Sequence, residues 1–189
     1  MANGYNVFME KIYFSYSSVY GGDIISLTAN LPSVILNRVN AHKTENKRLE
    51  SLTAWSLINN LLFKVTGKWL CEYNLTFSPN GKPLIDNGFI SLSHSNGVVA
   101  VGYSKADFGL DIEVCKNAEK YTAVAKKLGV SVDNELFLKW TAVESVTKLN
   151  DKYKTSFNGE VIKSTLITVN GYDVAVSIAG NNEFYIENV

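Results

Sequence analysis

The stretch Phe108-Gly109-Leu110-Asp111-Ile112-Glu113-Val114 decides how this chain is read. Its character alternates, and successive side chains of a strand point to opposite faces. Leu110, Ile112 and Val114 therefore share one side and belong in a core, whereas Asp111 and Glu113 share the other. Two carboxylates held side by side repel and raise each other's pKa. A hard cation relieves that repulsion and takes their oxygens as ligands. An edge strand with a solvated acidic face is the plainer alternative.

Working outward, Phe89-Ile90-Ser91-Leu92-Ser93-His94 also alternates, Asn96-Gly97 signals a hairpin turn, and Val98–Tyr103 is a largely buried second strand. Extended character recurs in Lys11–Tyr16, in Tyr73–Phe77 and from about 160 to 188, with Asn170-Gly171 as a further hairpin turn. Gly21-Gly22 and Pro79-Asn80-Gly81 punctuate the chain. Val34, Ile35, Arg38 and Val39 mark a short helix. Between Glu45 and Val65, Leu49, Leu52, Trp55, Ile58, Leu61 and Leu62 recur at the spacings of a buried helix stripe, which Gly67 ends. Helices are also expected at about 117–128 and 133–150. Blocks of strands and helices in this order predict an α+β fold. Leu49–Leu62 and Leu136–Leu149 match as corresponding helices, and two related halves, 1–95 and 96–189, are expected to pack tightly.

The chain has 189 residues, 46% of them hydrophobic and 19% charged, as suits a globular protein. Its 18 basic and 18 acidic residues balance, which argues against a wholly basic nucleic-acid-binding surface. No apolar run reaches the roughly 18–20 residues needed to span a bilayer. The opening Met1-Ala2-Asn3-Gly4-Tyr5-Asn6 lacks a signal peptide's basic and apolar regions. A cytoplasmic protein with no membrane or nucleic-acid partner is expected. Cys71 and Cys115 match no zinc spacing and read as free and structural. With only His42 and His94 available, a metal site must rely on oxygen ligands, which favours magnesium or manganese.

Two further constellations carry chemistry. On a helix, Trp140, Glu144 and Lys148 fall on one stripe. Glu144 then offers a third carboxylate or a base, and Lys148 a cation for a phosphate or leaving group; otherwise they form a surface ion pair beside a core tryptophan. Gly81-Lys82-Pro83 and Ser91-Leu92-Ser93-His94-Ser95 offer lysine, hydroxyl and imidazole groups as phosphate contacts, or else a solvated hairpin and a hydroxyl-rich strand end.

In combination, Gly81–Pro83, Leu92–Ser95, Gly109–Glu113 and Trp140–Lys148 resemble in order and spacing the motifs of the 4′-phosphopantetheinyl transferases, and span about a third of the chain. The segment Lys47-Arg48-Leu49-Glu50-Ser51-Leu52 resembles that family's N-terminal helix. The length is similar to the monomeric, two-half Sfp-type branch. The resemblance implies a pseudo-dimer of two similar α/β halves with coenzyme A in the cleft between them. It implies transfer of the phosphopantetheine arm to a serine of an apo acyl or peptidyl carrier protein, releasing adenosine 3′,5′-bisphosphate. It makes Asp111, Glu113 and Glu144 ligands of Mg²⁺ (or Mn²⁺). Lys82, Pro83, Ser93, His94, Arg48 and Lys148 become coenzyme A contacts, with Lys148 neutralising the leaving group and Asp111 and Glu144 joining it in catalysis. Glu144 is the candidate base for the serine proton.

The chain departs from the pattern twice. Val143 stands where a lysine often precedes the glutamate, and Glu50 stands where a second basic residue is frequent, with Lys43, Lys47 and Arg48 nearby as substitutes. These departures motivate an alternative, a non-catalytic protein that keeps the fold and binds coenzyme A or a carrier protein. A metal-dependent phosphohydrolase is a third reading without a distinctive motif. Lys116, Lys120, Lys126 and Lys127 form either a steering patch for an acidic carrier protein or a solvated helix face.

Overall fold

A polar cap opens each of the two long helices, and a residue with left-handed backbone closes it. In the computed structural model, which describes residues 9–19, 27–152 and 159–189, Thr44 caps Glu45–Thr66 and Gly67 (φ 75°) ends it. Asp133 accepts the Glu135 N–H at 2.8 Å to cap Asn134–Asn150, which Asp151 (φ 50°) ends. These helices are α2 and α4; the shorter α1 is Ser33–Asn40 and α3 is Thr122–Leu128. The expected stripe of α2 is buried at Leu52, Trp55, Ile58, Leu61 and Leu62.

The strands form two sheets. β1 (Glu10–Ser18), β2 (Thr76–Phe77), β3 (Pro83–Ile85), β4 (Gly88–Ser95), β5 (Val98–Ser104) and β9 (Phe184–Asn188) make a six-stranded mixed sheet in the order β2-β3-β4-β5-β1-β9. Among the described residues, only β1 and β9 pair in parallel. β6 (Phe108–Val114), β7 (Val161–Val169) and β8 (Tyr172–Gly180) make an antiparallel sheet in the order β6-β8-β7. Both expected hairpin turns have positive φ at their two central residues: Asn96 (45°) and Gly97 (82°), then Asn170 (52°) and Gly171 (79°). Such turns match the twist of the strands they join.

Strand alternation sorts the side chains into layers. Ile90, Leu92, Val99, Val101 and Tyr103 pack against α1 and α2. From the opposite face, Ile12, Phe14, Val98 and Ala100 meet Leu110, Ile112, Val174, Val176 and Ile178 of the smaller sheet. The outer face of that sheet carries α4, through Val146, Leu149 and Ala179. The order is therefore helix, sheet, sheet, helix, an α+β architecture as the sequence pattern predicts.

Several local expectations are refined. Only Thr76–Phe77 of the segment 73–77 is strand, and Leu70–Glu72 is a 3-10 turn. Asn59 Oδ1 accepts the Leu70 N–H at 2.8 Å and Glu72 accepts the Trp69 N–H at 2.7 Å, which turns the chain before the strand begins. The region 117–128 divides into a 3-10 turn, Ala118–Tyr121, and α3. The expected boundary at 95/96 falls within the β4–β5 hairpin, and both β5 and β9 join the sheet of β1 and β4. Gly21-Gly22 and residues 1–6 lie outside the described residues. No helix among the described residues is long and apolar enough to cross a membrane. Cys71 is exposed and Cys115 half-buried, and both are free thiols.

One glycine sets how closely α4 lies on β6. A Cβ at Gly109 would stand 1.9 Å from the Ser145 carbonyl oxygen and 2.5 Å from the Leu149 nitrogen. Gly109→Ala must push the helix off the sheet and is expected to lose about 3 kcal/mol. Gly67→Ala, with open space around it, should lose only the left-handed backbone preference, about 1 kcal/mol. Urea unfolding of both variants checks the contrast; equal losses would show that α4 shifts at little cost.

Candidate functional site

The two sheets meet along a seam of side-chain hydrogen bonds. Ser91, Ser93 and Ser95 alternate along β4 and face β6. Their Oγ atoms accept the N–H groups of Leu110 (3.0 Å), Ile112 (3.3 Å) and Val114 (3.2 Å). These are the β6 amides that point away from β8. A serine hydroxyl has one proton to donate besides the lone pairs it offers. Ser93 donates to Asp111 Oδ1 at 2.7 Å and Ser95 to Glu113 Oε2 at 2.6 Å. The acidic residues of β6 are thus fixed by the same hydroxyls that cap its edge.

Asp111 is only 6% exposed, which removes the reading of a solvated acidic strand. Lys148 on α4 donates to its Oδ1 at 2.7 Å and to the Leu92 carbonyl at 3.3 Å. Asp111 Oδ2 is buried with no hydrogen-bond partner among the described residues. Burial pushes the Glu113 carboxyl up to about 7, with the Asp111 and Glu144 charges adding to burial and the Ser95 hydrogen bond and Lys148 opposing it. Burial, then Asp111, also raises Glu144, one helical turn before Lys148. Among the described residues, no group of three or more His, Cys, Asp or Glu side chains is arranged to hold a metal ion as it stands. What the fold does provide is an unpartnered carboxylate oxygen beside two carboxyls whose charge is disfavoured, a donor set whose chemistry suits a hard cation.

Beside these groups lies a cleft of about 510 Å³ between α2 and the end of α4. Ser51, Ala54 and Trp55 form one wall, Thr147, Lys148 and Asp151 the other, and Ile90, Leu92 and His94 the floor, with Asn80–Pro83 at one end. A second cavity of about 390 Å³ shares Ser51, Trp55 and Gly81 and extends toward Arg38 and His42. There the Arg38 guanidinium stacks over Phe77 at 3.9 Å.

Of the expected ligand contacts, Lys82, Pro83, His94 and Lys148 all line the cleft. Lys82 is tethered by Asp107 at 2.8 Å and by the Leu149 carbonyl at 2.9 Å. Ser93 and His94 were expected to face the same ligand. Adjacent strand residues point to opposite faces, however, and Ser93 turns to β6 while His94 turns to the cleft. Arg48 lines neither cavity; it is exposed and donates to the His42 carbonyl at 3.4 Å. Asp111, Glu113 and Glu144 are not among the residues that line the cleft, and Asp111 is joined to it by the ion pair with Lys148. Four residues have roles that escape a motif-based reading: Ser91 and Ser95 as edge caps, Asp107 as the anchor of Lys82, and Glu50 as the partner of His94 (3.0 Å). The period-two Ser-x-Ser-x-Ser run was the available signal for the first pair.

Neither protein-family models nor curated proteins give a match to this chain.

The raised Glu113 carboxyl has a thermodynamic consequence. A group that binds its proton more tightly folded than unfolded loses stability as pH rises between the two pKa values. For Glu113 that interval runs from 4.5 to about 7. In metal-free buffer, wild-type stability should fall across it and level above it. Glu113→Gln should flatten the fall and be the more stable protein at pH 8, by on the order of 1–2 kcal/mol after solvent screening. Urea unfolding at pH 5 and pH 8 checks this; an unchanged pH slope would show a solvated Glu113.

Proposed function

We propose that this protein is a magnesium-dependent 4′-phosphopantetheinyl transferase of the Sfp type, moving the phosphopantetheine arm of coenzyme A to a carrier-protein serine with release of adenosine 3′,5′-bisphosphate. The observation that carries the reading is the convergence of four separated motifs on one place. Lys82, Pro83, His94 and Lys148 line a single cleft, and Lys148 joins it to Asp111. The pseudo-dimer belongs to the same proposal, supported by one long helix on each sheet.

Asp111, Glu113 and Glu144 would hold the Mg²⁺. Such an ion keeps several waters and needs only one or two carboxylates together with substrate phosphates, so a complete protein cage is not required. When bound, it supplies charge neutralisation on the pyrophosphate. The chain's own residues do the rest. Lys82 and His94, which line the cleft, would contact the nucleotide phosphates, and Lys148 would stabilise the leaving phosphate. Glu144, whose proton affinity is raised by burial, would take the serine proton in its ionised form, directly or through water. The nucleophile comes from the partner, so no activated serine is needed here. The exposed Lys116, Lys120, Lys126 and Lys127 would raise the association rate of an acidic carrier protein more than the rate of chemistry.

The missing lysine at position 143 has a local cause. Val143 is 2% exposed, inside the core, where an ammonium would be desolvated. The ion pair that occupies Asp111 in the resting protein favours a second reading, binding of coenzyme A or a carrier protein without transfer.

Incubation with coenzyme A, Mg²⁺ and a panel of apo carrier proteins should add one phosphopantetheine to a serine, read by intact mass. Asp111→Ala and Glu113→Ala should each lower turnover about a hundredfold or more while the fold survives. Tight binding of coenzyme A with no mass gain on any carrier would establish the binding-only reading instead, and near-normal turnover in the two variants would overturn the metal assignment.

A further inference from the structure

One carboxylate ties α2 to the β4–β5 turn. Glu50 Oε1 accepts the Gly97 N–H at 2.8 Å, and its Oε2 lies 3.0 Å from His94 Nδ1. The Glu50 side chain is 15% exposed and that of His94 is 36% exposed, so the inner end of this contact is sheltered and the ring reaches the cleft. His94 Nε2 makes no hydrogen bond to a described residue. We propose that Glu50 is a positioning residue that holds His94 with Nδ1–H directed at α2 and Nε2 presented to the cleft, so that the ring becomes a cationic donor when a phosphate-bearing ligand arrives. The inference rests on reading the cleft as a site for such a ligand.

The chemistry follows from the two ring nitrogens. The partner of one nitrogen sets the protonation of the other. With Nδ1–H donated to a carboxylate, a neutral ring offers only a lone pair at Nε2, which cannot hydrogen-bond a phosphate oxygen. Uptake of one proton at Nε2 turns it into a charge-assisted donor. Several groups face the ring: Glu50 and Lys47 from α2, His42 just before that helix, and Lys148 from α4. Burial first, and then Lys148, Lys47 and His42, hold the pKa of His94 below its usual value, against the pull of Glu50. The resting ring is therefore neutral at pH 7, and an arriving anion adds the second negative charge that the imidazolium needs. Glu50 thus places a cation that forms on demand.

Glu50→Gln separates this role from a merely structural one. The amide oxygen can still accept the Gly97 N–H, but the amide NH₂ must then donate to Nδ1 and drive the ring proton to Nε2. Nitrogen NMR of the imidazole should show protonation at Nδ1 in the wild type and at Nε2 in the variant. Calorimetry in buffers of different ionisation enthalpy should show proton uptake when the wild type binds coenzyme A at pH 7. In Glu50→Gln the uptake should vanish and affinity should weaken about tenfold. A wild-type ring protonated at Nε2, or unchanged proton uptake and affinity in the variant, would overturn the proposal, and the wild-type ring measurement stands even if the variant folds poorly. Failure of coenzyme A to bind would sink the transferase reading; inorganic pyrophosphate then decides this one. Proton uptake with shifted His94 signals upholds it, and an unmoved ring ends it.

Discussion

The hydroxyls of Ser91, Ser93 and Ser95 hold the edge of β6 closed, and the rest of the site depends on that seam. An edge strand presents a row of amides that must be covered, paired or solvated. Here the row is buried between sheets, and each orphaned amide would cost about 1–3 kcal/mol. A serine offers a lone pair to the amide and keeps a proton to give away. Ser93 and Ser95 give theirs to Asp111 and Glu113. Capping an edge and ordering two carboxylates are therefore one interaction. Apolar residues on β4 would leave the amides unsatisfied and the carboxylates without donors.

Position 109 shows how the helix enters this arrangement. Gly109, Asp111 and Glu113 lie on one face of β6, at successive distances along α4. At the first of them the backbone of α4 comes so close that a methyl group has no room. Ser145 and Leu149 clasp that point, which places Lys148, between them in sequence, over Asp111. Glu144 then falls one turn back, near enough to feel the charge of Asp111. The Gly-x-Asp-x-Glu pattern is thus a packing instruction followed by two polar groups. Its spacing fixes which helix residue meets which carboxylate.

Much of this was legible in the sequence because it rests on period two and period 3.6. The strands at 89–94, 98–103 and 108–114, both long helices and both Asn-Gly turns follow from alternation, stripes and turn chemistry. The pairing of Asp111 with Glu113 on one face followed for the same reason. What escaped was relational. No local pattern says that β5 and β9 return to the sheet of β1, since pairing partners are chosen by packing across the whole chain. Nor does one say that Glu50 turns toward His94, because a glutamate on a helix is most simply a solvated one. Ser93 and His94 were grouped by adjacency, although the strand sends them to opposite faces.

The basic residues around the cleft share a further property. Lys82 is held by Asp107, Lys148 by Asp111 and His94 by Glu50, each through a contact of 3.0 Å or less. Lys82 and Lys148 thus reach the cleft with their charge already matched, and a phosphate-bearing ligand can engage either of them fully only by exchange of partners. If Lys148 turns to a phosphate, Asp111 is left with a buried, uncompensated carboxylate that already has one orphaned oxygen, a costly state. On the proposed reading a divalent cation restores the balance at that carboxylate, while the ligand's phosphates satisfy the lysine released from it. Neither exchange is favourable alone, so anion and cation should enter together. That coupling follows from an ion pair the fold builds before any ligand is present.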